Sequence, residues 1–365
     1  MKVLVSVFNN LYTDQRVEKV CNTLSENGYE IDLIGNNWGG LPEMKRSYAF
    51  SRILLNAKIL KFAYIEFQWK LYKELLKKAD KKTILLSNDL DTLLPNYLVS
   101  KKLNIPLVFD SHEIFTEMPS VNKRFTQKIW RTLEKTIVPK MKYMMTASES
   151  YADWFQKTYA ISRPVVVQNF PKKIENSQNY SEPNSPKIII YQGVINPSRG
   201  LEKMIPAMKH IDDAELWIAG DGLKKEELIV LTKDLGLEGK VKFLGKHLPE
   251  KLREITKKAD VGLSIEENNG LSYYFSMPNK VSDYIQARIP VVVSDFPEMR
   301  KVVDIFGAGE KISSHNELAE KVKIVLQNGK HFYKESLDKA ASELCWEKEE
   351  PKLIELFGKV KSQNF

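Results

Sequence analysis

Cysteine is nearly absent. Cys21 and Cys345 are the only two in 365 residues, too few and too far apart for a disulfide framework, which suits a reducing compartment. Long apolar runs are missing as well. No stretch approaches the roughly 18 uncharged apolar residues of a membrane span. The opening MKVLVSVFNN carries too short an apolar run for a signal peptide, ended by Asn9 and Asn10. Together these absences predict a cytoplasmic protein. With 17 Gly and 16 Pro against 43% hydrophobic and 28% charged residues, the composition excludes a disordered chain. The length favours two domains of about 150–200 residues each. Acid is the scarcer charge, 47 residues against 55 basic ones, for a net +8. Such a surface favours polyanions: nucleic acid, an acidic lipid face or a phosphorylated ligand.

What is present is a repeated alternation. Lys2–Phe8, Glu30–Ile34, Thr83–Leu86, Ile105–Phe109, Tyr143–Thr146 and Val165–Val167 read as buried parallel strands. Between the first two, Val17, Val20, Cys21 and Leu24 fall on one helical face, with Thr13 or Asp14 placed to cap it and Gly28 to end it. That is a βαβ unit, the seed of a doubly wound domain. After the polar PKKIENSQNYSEPNSP comes a second series of strands: Lys187–Tyr191, Glu215–Ala219, Val241–Leu244, Val261–Ile265 and Val291–Ser294. The expected organisation is an N-terminal Rossmann-like domain over 1–170, a linker over 171–186 and a C-terminal Rossmann-like domain over 187–345. A closing helix over 346–365 is expected to pack across both.

One segment stands apart. Leu41–Ala79 holds nine basic against three acidic residues, interleaved with Phe50, Leu60, Phe62, Tyr64, Phe67, Trp69 and other apolar side chains. It reads as a pair of helices. They either cover the sheet with lysines in solvent or rest as a cationic, aromatic surface on an anionic membrane face.

In doubly wound domains ligands bind where strands end. After Phe109 comes Asp110-Ser111-His112-Glu113. An imidazole there can donate to a sugar hydroxyl or phosphate oxygen, with carboxylates to orient it, although a lone histidine is also a common structural residue. In the second half, Gly193 ends a strand and Pro197-Ser198-Arg199-Gly200 opens a helix. Glycine lets backbone approach a phosphate, helix-end amides point at it, and arginine adds charge-assisted bonds. A surface turn with a solvated arginine looks similar. Gly220-Asp221-Gly222 is a tight turn or a close approach to a nucleotide. The most informative stretch is EENNGLSYYFSMPNKVSDYIQARIPVVV, Glu266 to Val293. Gly270, followed by Leu271, loosens a loop, Lys280 offers a cation, and Asp283 begins a helix where its carboxylate can accept ribose hydroxyls.

Taken together, these residues resemble the family-4 retaining glycosyltransferases, and the resemblance runs over nearly the whole chain. It comes close to a subgroup seen in bacterial surface-polysaccharide synthesis. It implies a GT-B fold, two Rossmann-like doubly wound domains facing a central cleft. It also implies donor diphosphate contacts at Arg199-Gly200, a match to the family's G-D-G at Gly220 to Gly222, and the paired-acid signature at Glu267 and Asp283. Those two acids are sixteen positions apart, wider than the family's usual spacing, with SYYFSMPNK inserted and Asp replacing the second Glu. Pro278-Asn279-Lys280 matches the subgroup. Val194 stands where the family often has Arg, which leaves the phosphate work to Arg199 and Lys280. The resemblance further places acceptor contacts on the first loop, at Asn9, Asn10, Asp14 and Arg16, and His112 near the donor sugar. For Asp14 and Arg16 a helix N-cap with an exposed arginine is the plainer account.

The implied chemistry transfers a sugar from a nucleotide diphosphate sugar to a hydroxyl of a glycan or lipid-linked acceptor. Configuration is retained, and the leaving diphosphate is stabilised by Arg199, Lys280 and helix-end amides. The base is read near Gly245 to Leu248. Catalytic residues are then His112, Arg199, Lys280 and Glu267, with no cofactor and no metal. Asp89-Leu90-Asp91 resembles a metal-binding pair of the other main glycosyltransferase fold, but its place between strand and helix reads as an N-cap. Peripheral contact with the inner membrane face follows from Leu41–Ala79. Two alternatives stay open. One is an epimerase or phosphorylase of this architecture, although the pyridoxal lysine or carboxylate set it needs is not identifiable. The other is a basic nucleic-acid-binding protein, although no helix-turn-helix, zinc or stacking signature supports it.

Overall fold

The computed structural model describes residues 1–121, 125–175 and 184–365. Half of the predicted linker, residues 176–183, lies outside the described residues. The chain divides into two compact units, one of Met1–Asn169 with Glu349–Phe365, the other of Phe170–Lys348.

The first unit is built on seven strands: β1 (Lys2–Ser6), β2 (Glu30–Asn36), β3 (Ala49–Ile53), β4 (Thr83–Asn88), β5 (Leu107–Ser111), β6 (Tyr143–Thr146) and β7 (Val165–Val166). They form one parallel sheet in the order β3-β2-β1-β4-β5-β6-β7. Parallel strands are covered on both faces, and the runs of β1 and β4 are accordingly apolar and buried. Its helices are α1 (Gln15–Glu26), α2 (Leu60–Lys78), α3 (Leu90–Leu103), α4 (Phe125–Ile137) and α5 (Glu149–Tyr159).

The Leu41–Ala79 segment is not a pair of helices. Its first part supplies the edge strand β3, whose Ala49 registers with Asp32 of β2, and only α2 is helical. Arg52 explains part of this choice, donating to the Asn10 and Pro42 carbonyls. α2 buries Ala63, Phe67, Leu71 and Leu75, a stripe at spacing four.

Among the described residues the second unit has six parallel strands in the order β10-β9-β8-β11-β12-β13. They are β8 (Lys187–Gln192), β9 (Ala214–Ala219), β10 (Val241–Gly245), β11 (Val261–Ser264), β12 (Val291–Ser294) and β13 (Gly309–Ile312). The connecting helices are α6 (Leu201–Ala207), α7 (Lys225–Asp234), α8 (Pro249–Lys257), α9 (Leu271–Tyr274), α10 (Asn279–Gln286), α11 (Arg300–Asp304), α12 (Leu318–Phe332) and α13 (Lys334–Glu343). The last helix, α14 (Trp346–Asn364), belongs to the first unit from Glu349 onward. There Phe357 meets Tyr29 edge-on at 5.8 Å and Gln363 accepts from the Tyr143 hydroxyl.

Both sheets reverse strand order beside their first strand, between β1 and β4 and between β8 and β11. Such switch points leave a crevice at the strand C-termini where ligands bind.

Candidate functional site

In the second unit the switch point gathers two cations. Lys280 sits in the first turn of α10, which begins at Asn279 behind Pro278. Only 8% of its side chain is exposed, its Nζ lies 2.7 Å from Glu266 Oε1, and it rests 4.2 Å above the Tyr191 ring. Glu266 completes its shell by accepting from the Ser264 hydroxyl at 2.7 Å. Arg199, 25% exposed, approaches the same Glu266 Oε1 at 3.8 Å. Burial would raise the Glu266 pKa, but Lys280, Ser264 and Arg199 pull it below the usual carboxylate range. Burial lowers the Lys280 pKa, Arg199 adding to this while Glu266 opposes it. One buried carboxylate therefore faces two cations.

The backbone beside them is bare. Gly193 follows β8 at φ +136, and a Cβ placed on it would lie 3.8 Å from Lys280 Nζ. Gly220 packs directly on Gly193, since a Cβ on it would overlap the Gly193 carbonyl oxygen. Arg199 is delivered by a loop clamped to the segment after β11. Glu267 N donates to the Ser198 carbonyl at 3.0 Å, Asn269 Nδ2 donates to Ser198 Oγ at 2.5 Å, and Gly200 lies against the Ile265 carbonyl, where no side chain fits.

The structure thus brings Gly193, Arg199, Gly200, Gly220 and Lys280 together, and it adds Glu266. Sequence reasoning chose Glu267 because the E-x-x-G-L spacing fits it. The signal it passed over was alternation: Glu266 follows Ser264 by two and shares its inward face, which the hydroxyl bond between them shows. Glu267 is half-buried and accepts from Asn269 at 3.4 Å. Asp283 does not begin its helix; it lies one turn inside α10, where Gln192 Nε2 donates to its Oδ2 at 3.0 Å. Thr256 fixes that amide by donating to Gln192 Oε1 at 2.6 Å. Asp221 points to solvent beside Lys225 at 3.7 Å and accepts from Gly222 N. Gly270 (φ +146) precedes α9, whose first residue, Leu271, is exposed.

In the first unit the ionic cluster is closed. β5 continues through Asp110 and Ser111, beyond the predicted end at Phe109. A fully buried carboxylate is tolerated there because Arg16 grips it with two bonds, Nε to Oδ2 at 3.0 Å and Nη2 to Oδ1 at 2.7 Å. Arg16 is only 3% exposed and also donates to the Val167 carbonyl. It is neither the exposed arginine of a plain N-cap nor placed to meet an acceptor, which corrects that expectation. Asp14 caps α1 by accepting from Val17 N and takes Asn9 Nδ2 at 2.7 Å. The side-chain Oδ1 atoms of Asn9 and Asn10 accept from Leu11 N and Tyr12 N, which shapes the first loop.

His112 stands between two carboxylates. Its Nδ1 is 3.3 Å from Asp89 and its Nε2 is 3.2 Å from Asp110 and 3.1 Å from Asn88 Oδ1. Burial alone would lower its pKa, but Asp89 and Asp110 outweigh this and raise it to about 9, so at neutral pH it is an imidazolium. Burial would raise the Asp110 pKa, but the charges and hydrogen bonds of Arg16 and His112 outweigh it and hold the pKa down to about 2. Asp89 is not a side-chain N-cap either. It sits at φ 57 and makes no cap bond; its Oδ1 accepts from His112 N at 2.9 Å. Burial, then the Asp89 charge, pushes Asp91 well above the carboxylate range.

Comparison with known proteins agrees with this geometry. Residues 14–170 match the family described as Glycosyltransferase Family 4, and residues 172–343 match Glycosyl transferases group 1. A 58-residue stretch is 34% identical to the lipopolysaccharide core biosynthesis glycosyltransferase LpsD of Rhizobium meliloti, spanning 16% of this chain and 17% of that protein's length. The fold is similar to that of a sucrose-phosphate synthase from Thermosynechococcus elongatus, at TM-score 0.82 and 14% identity over 100% of both chains. It is also similar to that of Anabaena HepE in complex with UDP-glucose, at TM-score 0.72 and 13% identity over 98% of this chain and 100% of the other. Two parallel Rossmann-like units, a glycine-floored pair of cations at a switch point and family matches over both halves lead to one conclusion: the chain belongs to the family-4, group 1 glycosyltransferases of the GT-B fold.

Proposed function

We propose that this glycosyltransferase takes a sugar from a nucleotide diphosphate sugar and passes it, with retention of configuration and without a metal, to a hydroxyl of a glycan or lipid-linked acceptor in cell-surface polysaccharide assembly. The observation that carries the reading is the surplus of cation at the β8–β11 switch point. Arg199 and Lys280 share one carboxylate, Glu266, beside the exposed backbone of Gly193. A diphosphate supplies the missing negative charge, and the charge that grows on it as the glycosidic bond breaks is met by groups already in place. Asp283, oriented by Gln192, takes the ribose, and Gly220, Asp221 and Gly222 lie on the neighbouring strand end. Glu267, Gly270 and Leu271 border the donor sugar. A diphosphate oxygen helps deprotonate the incoming hydroxyl on the face the leaving group vacates.

In the first unit, His112 as an imidazolium donates hydrogen bonds rather than accepting a proton, and Asn9, Asn10 and Asp14 meet the acceptor. The Asp89 carboxylate is occupied by His112, and burial raises the Asp91 pKa, making its carboxylate a poor metal ligand; both favour the metal-free reading. The LpsD match supports a surface-glycan role, and HepE's complex with UDP-glucose supports a uridine donor. Calorimetry with UDP, GDP and ADP tests the donor site. The reading fails if none binds more tightly than its monophosphate. The anomeric coupling of the product in NMR tests retention, and turnover in excess EDTA tests independence of metal.

A peripheral membrane role finds support on α2. Leu60, Phe62, Ile65 and Trp69 are each about half exposed or more, and Lys61 and Lys73 lie over the Phe62 and Trp69 rings at 4.9 and 4.5 Å. Among the described residues no helix is long and apolar enough to cross a membrane. An interfacial helix is the form such contact takes.

A further inference from the structure

We propose that Tyr273 is a positioning residue that aims Arg199 at the donor diphosphate, so that the segment separating the two signature acids makes part of the phosphate site; this rests on the donor-site reading above. Arginine loses much side-chain entropy when it is fixed, and a one-sided ion pair at 3.8 Å to Glu266 leaves its fork mobile. Tyr273 supplies the other restraint in two ways. Its ring lies under the guanidinium, with Arg199 Cζ 4.6 Å from the centroid, and its hydroxyl accepts from Arg199 Nη2 at 3.2 Å. A cation over an aromatic face keeps its in-plane N–H groups available, so the ring fixes the plane of the fork without consuming its donors.

Tyr273 is itself held. Its carbonyl accepts from Ser276 Oγ at 2.9 Å and from Ser276 N at 3.3 Å, and Ser272 beside it is buried. Lys280 is treated in parallel, seated over Tyr191, whose hydroxyl donates to the Val194 carbonyl at 2.9 Å. Each cation thus has an aromatic seat and both share Glu266. The seat of Arg199 comes from the SYYFSMPNK stretch.

The test is calorimetry with whichever of UDP, GDP and ADP binds the parent most tightly, and with its monophosphate. Tyr273→Ala should weaken the diphosphate about tenfold and leave the monophosphate within about twofold. Tyr273→Phe, which keeps the ring, should recover most of the loss. Because Tyr273 acts through Arg199, Arg199→Ala/Tyr273→Ala should bind no worse than Arg199→Ala alone. Additive losses in that cycle, or a Tyr273→Ala diphosphate affinity equal to the parent's, would overturn the positioning role. If the parent does not prefer the diphosphate, the donor-site reading falls first and this inference with it. If only the Tyr273 variants behave as the parent does, the site stands and the inference alone is lost. Should Tyr273→Ala not fold, as judged by its melting curve, Tyr273→Leu, which keeps bulk but has neither the aromatic face nor the hydroxyl, carries the same cycle with Arg199→Ala.

Discussion

The two units answer the same problem, how to keep charge at a strand end, in opposite ways. In the N-terminal unit Arg16 and His112 face Asp110 and Asp89, two cations against two carboxylates, while burial and then the Asp89 charge raise the pKa of Asp91 beside them. In the C-terminal unit Arg199 and Lys280 share Glu266. The first cluster is balanced, and Arg16 and Asp110 within it are buried. The second is one negative charge short, and bare glycine backbone lies where that charge can come. A buried pair contributes shape and polarity whether or not ligand is present, whereas an unbalanced one contributes affinity. The N-terminal unit's own excess of positive charge lies elsewhere, on the surface of α2.

The largest effect should come from opening the balanced cluster. Arg16→Ala leaves Asp110, fully buried, without its bidentate partner, and should destabilise the N-terminal unit by about 3–5 kcal/mol. Urea titration should show one transition moved and the other unmoved. An unchanged unfolding profile would mean the pair adds no stability and the contrast between the units is wrong.

Opening the unbalanced cluster should do something different. Arg199→Ala removes a charge-assisted contact and should cost about 1.5–3 kcal/mol of diphosphate affinity with little change in melting temperature. Lys280→Ala should lose similar affinity and also melt earlier, because it strands Glu266, which is 2% exposed. Calorimetry and melting curves on both variants check this, and equal melting of the two would contradict the shared-carboxylate geometry.

A smaller effect tests charge state. The His112 pKa is raised from 6.5 to about 9, so its contribution to stability is fully present below about pH 6.5 and lost as pH climbs through 9. Melting temperature should therefore fall across that window in the parent. In Asp89→Asn, which removes the first-named attraction, the fall should be shallower and begin at lower pH. Imidazole ¹⁵N shifts should report both ring nitrogens protonated at pH 7.5, and a neutral tautomer there would contradict the balanced cluster.

Much of this was legible without coordinates, for identifiable reasons. Buried parallel strands are apolar runs, so β1, β4 and β8 announce themselves, and strand-end glycines mark Gly193 and Gly220. What escaped depended on pairs distant in sequence. Asp110 reads as a loop residue until Arg16, ninety-four positions earlier, is known to neutralise it within the strand. β3 is an edge strand whose half-exposed AFSRI lacks a buried run, so the neighbouring helical periodicity absorbed it. Glu266 and Glu267 are adjacent, and motif spacing chose between them where inward alternation from Ser264 would have chosen the other. Gln192 looks like an ordinary strand-end residue, and only its bonds to Thr256 and Asp283 show what it does.

The smallest effect per residue belongs to α2 and bears on where the N-terminal unit's uncompensated charge acts. Of the basic residues between Leu41 and Ala79, Arg46 pairs with Glu18, Lys70 with Glu66 and Lys78 with Asp32, and Arg52 holds two carbonyls. Those four are engaged within the protein. Lys61 and Lys73, stacked on exposed Phe62 and Trp69, are better placed to meet an anionic surface, at about 1 kcal/mol each, or about fivefold in partitioning. Lys61→Gln and Lys73→Gln should each reduce co-sedimentation with phosphatidylserine-containing vesicles by that factor, and Lys70→Gln should change it less. The attraction should weaken as salt rises, because the screening length falls to about 10 Å at 0.1 M. Reversing Lys58, Lys61, Lys73 and Lys77 to Glu should abolish it while leaving diphosphate binding by the other unit as it was. Equal pelleting with neutral and anionic vesicles, or none at low salt, would make α2 an ordinary cover of the sheet and leave the β8–β11 switch point as the place where this protein's positive charge does its work.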